Sequence, residues 1–158
     1  MPARRWYVGS WGPLGAVETI LKGAAFACAF VAFSVAAGSG WERPADAELA
    51  QTLLLALAEL GLAIAISDRV MEREITAMVF VVVNNLAHIA IVAALLGERD
   101  VGGYVVAFAA LMLAGELVKI VFLRRTGFTV RGHAPALLVA GTAGYAALYA
   151  AVLVLALA

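Results

Sequence analysis

Five apolar runs, Val17–Gly38, Leu49–Ser67, Ile75–Gly97, Val101–Leu123 and Ala134–Ala158, take up most of this 158-residue chain. A helix rises about 1.5 Å per residue and a hydrocarbon core is about 30 Å thick, so a run of about 20 apolar residues crosses once. The polar segments between the runs are too short for a folded aqueous domain. The sequence therefore predicts an all-α fold, an integral membrane bundle of five transmembrane helices over residues 17–158, preceded by an interfacial arm over residues 1–16. Composition agrees: 65% of residues are hydrophobic and 14% charged, outside the range of soluble globular domains.

A formal net charge of zero conceals an ordering along the chain. Arg4 and Arg5 precede the first run, Arg69 and Arg73 lie between the second and third, and Arg124, Arg125 and Arg131 lie between the fourth and fifth. The alternate loops hold Arg43 and Arg99 among Glu42, Asp46, Glu48, Glu98 and Asp100. The positive-inside rule then puts the N-terminus in the cytoplasm and the C-terminus outside, in a bacterial inner membrane. Paired arginines before an apolar run that ends in Val35-Ala36-Ala37-Gly38 have the outline of a secretory signal, but the run's length and its Glu18 and Lys22 favour a span. Trp6, Tyr7 and Trp11 beside the arginines suit an interfacial anchor, and Trp41 and Tyr104 are expected at the outer interface. The short connections predict that helices consecutive in sequence pack antiparallel against one another.

Alanine and glycine recur in every run, as in Gly23-Ala24-Ala25 and Gly141-Thr142-Ala143-Gly144, and small residues let membrane helices approach closely. A compact bundle is expected, in contact with the lipid bilayer and with either further copies of itself or another membrane protein. A lone cysteine, Cys28, rules out an intrachain disulfide and a multi-thiolate metal site. No spacing calls for a metal or other cofactor, Ser34 and Ser67 lack a base at matching depth, and the glycines do not form a phosphate loop. Nucleic acid is excluded as a partner because the basic loops are short and mixed with acids. A faint repeat sets Leu57-Ala58-Glu59-Leu60 beside Ala114-Gly115-Glu116-Leu117, with so little shared chemistry that chance explains it.

The chemistry lies in polar residues placed inside apolar runs, since a charge at a helix centre costs about 2.5–3.5 kcal/mol on insertion scales. The candidate substrate- or ion-binding residues are Glu59, Asn84, Asn85, His88, Glu116, Lys119 and Lys22. Asn84 and Asn85 fall four and three residues before His88, on one helix face; Glu116 can pair with Lys119, and Glu18 with Lys22. Glu59 has no local cation, and Lys22, Lys119 and His88 are its candidate partners. The antiparallel turn places Glu59 at the depth of Asn84, which predicts a hydrogen-bonded or water-bridged network shared with at least one of Asn84, Asn85 and His88. Each group also has a structural reading. The asparagines can bond across helices, His88 can be a satisfied core histidine, and Lys22 and Lys119 can snorkel to the interface with Glu18 and Glu116 as exposed companions.

The run carrying Glu59, a charged cytoplasmic turn, the helix Ile75–Leu96, the turn Glu98-Arg99-Asp100 and the helix Val101–Leu123 together resemble the phosphate-starvation-inducible E family of small bacterial membrane proteins. The similarity covers roughly half the chain and is carried by Ala58-Glu59-Leu60, Ile89-Ala90-Ile91-Val92 and Asp100-Val101. Members of that family tend to have an arginine where His88 stands, and generally have four spans. The resemblance implies an inner-membrane protein of the stress or nutrient response without an established chemical activity.

Two functions are expected from these features: a transporter or channel for an ion, a proton or a small solute, or a non-enzymatic regulatory or assembly subunit. A lipid-active enzyme is third.

Overall fold

A computed structural model of the chain describes residues 12–38, 46–72, 75–97, 100–127 and 135–158. Among these residues the fold is all-α, with five helices: α1 (Gly12–Ala36), α2 (Asp46–Glu72), α3 (Ile75–Leu95), α4 (Gly102–Thr126) and α5 (Pro135–Leu157). Proline stands at or next to the start of α1 and α5, where its missing N–H costs no helical hydrogen bond. Asp100 Oδ1 accepts a 3.0 Å bond from the Gly102 N–H at the start of α4. Helix α4 ends with Arg124 and Arg125 in its last turn, which suit the negative end of the helix dipole, and with Gly127 in the left-handed conformation at φ 57°.

Several helices overrun the apolar runs. Helix α1 begins at Gly12, so the end of the expected arm is already helical; α2 continues to Glu72, and α4 passes through Arg124 and Arg125 to Thr126. Hydropathy marks only the part of a helix suited to lipid, whereas backbone hydrogen bonds carry the helix on into charged sequence. The arm up to Trp11, together with Trp41, Arg43, Arg73, Arg99, Arg131 and His133, lies outside the described residues. Tyr104 is half-buried and packs against the apolar core.

The helices pack chiefly in a closed ring in the order α1, α4, α5, α2, α3 and back to α1. Among the described residues, consecutive helices pack extensively for α2 with α3 and α4 with α5, whereas α1 packs chiefly on α4 and α3, which corrects the expectation from short connections. The six residues 96–101 between α3 and α4 can reach about 20 Å when extended, roughly two helix diameters, so the next helix is free to land elsewhere.

The bundle is inverted relative to a water-soluble one. Ile20 is 70% exposed while Lys22, two residues on, is 3% exposed. Leu53, Leu57, Leu60, Leu86 and Ile89 face outward, whereas Glu18, Glu116, Asn84, Asn85 and His88 are buried. That distribution fits a lipid solvent. Among the described residues three helices are long and apolar enough to cross a membrane, Gly12–Ala36, Gly102–Thr126 and Ala136–Leu157, and a shorter apolar stretch covers Val81–Leu95.

Candidate functional site: a buried charged cluster between α1 and α4

The buried positions of α1 are Gly15, Glu18, Lys22, Ala25, Ala29, Ala32 and Ala36, spaced alternately three and four residues apart. This is the seam of a close-packed helix pair, built from small residues over most of its length. Two of its positions carry charge. Lys22 Nζ donates to Glu18 Oε1 at 2.9 Å within α1 and lies 2.6 Å from Glu116 Oε1 on α4. Lys119, one turn further along α4, brings its Nζ to 4.0 Å from Glu116 Oε2. Gly115 makes room for this crossing, because a Cβ there would sit 3.2 Å from Lys22 Cγ and 3.3 Å from Lys22 Cε.

The expected snorkelling of Lys22, with Glu18 and Glu116 as exposed companions, is therefore corrected: all three are buried. Lys22 stands ten residues into α1, about 15 Å along the axis and beyond the reach of a lysine stem, while two carboxylates lie in direct contact. Lys119 keeps 28% of its side chain exposed, so it occupies the rim of the cluster.

A second polar group lies beside the first. His88 Nδ1 bonds the main-chain oxygen of Asn84 at 2.7 Å, and its Nε2 bonds the Tyr149 hydroxyl of α5 at 2.7 Å. A carbonyl oxygen can only accept, so Nδ1 carries the proton and Nε2 accepts from the tyrosine O–H. Phe108 of α4 closes the group edge-on, with its ring centroid 5.3 Å from that of His88 and 6.3 Å from that of Tyr149. Asn85 Nδ2 donates to Val81 O at 2.7 Å, a bond within its own helix. The charges of Lys22 and Glu116 act on His88, and those of Glu59 and Glu116 on Tyr145 and Tyr149.

Glu59 is half-buried on α2, and its buried Oε2 has no hydrogen-bond partner among the described residues; the same holds for Glu116 Oε2. No direct hydrogen bond joins Glu59 to Asn84, Asn85 or His88 among the described residues, and the ring nitrogens of His88 bond Asn84 O and Tyr149. The depth estimate fixed position along the helix axes and left rotation about them free. Tyr145, one turn before Tyr149, lies against Gly61 so closely that a Cβ on the glycine would collide with the tyrosine hydroxyl.

Of the candidate residues, Lys22, Glu116 and Lys119 come together and adjoin His88, while Asn84 takes part through its main chain and Glu59 stands apart. Sequence reasoning missed Tyr149 and Phe108. The spacing of Tyr145 and Tyr149, one turn apart in an alanine-rich helix, was the available signal. Among the described residues no group of three His, Cys, Asp or Glu is placed to hold a metal ion. No family model matches the chain, and no curated protein or solved structure matches it.

Proposed function

We propose that this chain is a multi-pass membrane protein, with all five helices crossing a bacterial inner membrane, that moves a proton or small cation by way of its buried carboxylates. The observation that carries this reading is the charge balance of the interior. Glu18 and Glu116 share one fully buried ammonium, with Lys119 4.0 Å from Glu116 at the partly exposed rim, and buried oxygens of Glu116 and Glu59 have no hydrogen-bond donor among the described residues. A carboxylate oxygen in a low-dielectric interior strongly favours a proton, a cation or water. The orientation is N-terminus in and C-terminus out. Lys22 lies ten residues after the start of α1 and Glu116 ten before the end of α4, so these helix ends share one side, with Arg124 and Arg125 exposed there.

The test is proton and sodium flux into proteoliposomes under an imposed gradient. Wild-type protein should carry a flux that Glu116→Gln lowers at least tenfold, and an equal flux in protein-free vesicles would end the transport reading.

A second reading, a regulatory or assembly subunit of the kind the phosphate-starvation-inducible E resemblance implies, is favoured by one face of α5. Ala140, Gly141, Ala143, Gly144 and Ala147 are exposed, and a Cβ at either glycine would meet nothing within 4 Å. Such a flat strip suits another membrane helix, from a second copy or a different protein. Crosslinking through single cysteines at Ala140 and Ala147 separates the two readings, since an obligatory partner should be captured along this face.

A further inference from the structure

Lys22 Nζ sits where a cation bound by two carboxylates would sit. It contacts one oxygen of Glu18 at 2.9 Å and one of Glu116 at 2.6 Å, from two different helices, with all three residues at least nine-tenths buried. The two carboxylates share one fully buried ammonium, and the second cation, Lys119, stands at the partly exposed rim, 4.0 Å from Glu116 Oε2, a buried oxygen with no hydrogen-bond donor among the described residues. Among the described residues, the other titratable groups within electrostatic reach of the cradle are His88 on α3 and Tyr145 and Tyr149 on α5, and Glu59 of α2 is within reach of the two tyrosines. The lysine stem packs on the bare backbone of Gly115, so a Cβ there would crowd it.

We propose that Glu18 and Glu116 form a monovalent-cation site that the Lys22 ammonium occupies in this conformation, making Lys22 a tethered competitor of the bound cation. This rests on the cation-handling function proposed above and names its site. Removing the competitor empties a doubly negative cradle, which then takes up an alkali cation from solution. Crowding the lysine stem without removing its charge weakens the competitor and strengthens cation binding to a smaller degree.

The experiment uses the full chain in nanodiscs and follows thermal unfolding in lithium, sodium or potassium chloride. N-methylglucamine chloride holds the ionic strength constant. Lys22→Met should gain a rise in Tm of several degrees with at least one of the three cations, well above any rise in wild type. Adding Glu116→Gln to Lys22→Met should abolish it. Gly115→Ala, which crowds the lysine stem and keeps every charge, should bind the same cation several-fold more tightly than wild type, and it decides the matter if Lys22→Met does not fold. Absence of cation dependence in both variants, or a dependence in Lys22→Met that survives Glu116→Gln, overturns the proposal. Flux through the same proteins separates the two claims. Cation-dependent stabilisation without flux keeps the site and ends transport, whereas flux without cation-dependent stabilisation keeps transport and ends this site.

Discussion

Lys22 Nζ lies 2.6 Å from Glu116 Oε1, tying the first half of α1 to the second half of α4 through a contact buried on both sides. The pair holds the helices at a fixed depth and rotation, because a shift by one residue would part the ammonium from a carboxylate that has no other buried cation in hydrogen-bond contact among the described residues. Buried pairs of this kind are costly to break one partner at a time and cheap to replace whole.

Lys22→Met should therefore destabilise the protein by about 3–5 kcal/mol in the absence of alkali cations, since it leaves two carboxylates facing each other in the interior. The neutral triple variant Glu18→Gln/Lys22→Met/Glu116→Gln should recover most of that loss. Reversible unfolding in mixed micelles gives both values. A triple variant whose loss equals the sum of the single losses would show that the three residues do not act as a unit.

Tyr149→Phe should cost about 1–3 kcal/mol, because it removes the only donor described for His88 Nε2 and leaves that nitrogen buried. A double-mutant cycle with His88→Phe should give a coupling energy of at least about 0.5 kcal/mol. Zero coupling would place the two rings in separate environments.

Gly61→Ala should lower stability by about 1–3 kcal/mol by pushing the Tyr145 side chain from its seat. Tyr145→Phe removes the colliding oxygen and should restore most of the loss. If the second change brings no recovery, the close approach of α2 and α5 is not at this point.

Two alanines on α1, two residues apart, should respond in opposite ways. Ala29 is fully buried in the seam and Ala27 is exposed, so Ala29→Leu should cost at least about 1–3 kcal/mol while Ala27→Leu should stay within about 0.5 kcal/mol. Equal effects would contradict the assigned rotation of α1.

Orientation can be read in whole cells with single cysteines in a Cys28→Ala background. Cysteines at Glu48 and Asp100 should react with an impermeant maleimide from outside, and one at Arg125 only after permeabilisation. All three positions are exposed at or near helix ends, so burial does not confuse the readout. The reverse pattern would invert the topology.

The charged seam was partly legible in advance. Glu18 with Lys22 and Glu116 with Lys119 are readable as pairs within one helix, because separations of four and three residues fix a shared face whatever the fold. That Lys22 bridges the two pairs was not readable, since nothing in either helix alone says which faces meet. Glu59 is a different case. Residue count speaks to height along a helix and not to rotation about it, and rotation decides that His88 bonds Tyr149.

The sequence by itself determined the all-α class, the lipid-suited helices and which polar residues fall within the apolar runs. Run length, composition and helical spacing are local quantities, and each is tied to a solvent or to a periodicity. The tertiary structure alone decided the ring order, the burial of Lys22 between two carboxylates, the role of Gly115 beneath its stem and the His88–Tyr149 bond. In lipid the outside of a helix and its packed inside are equally apolar, so hydropathy does not say which face turns inward. Small-residue fit and the pairing of a few buried charges choose the neighbours instead.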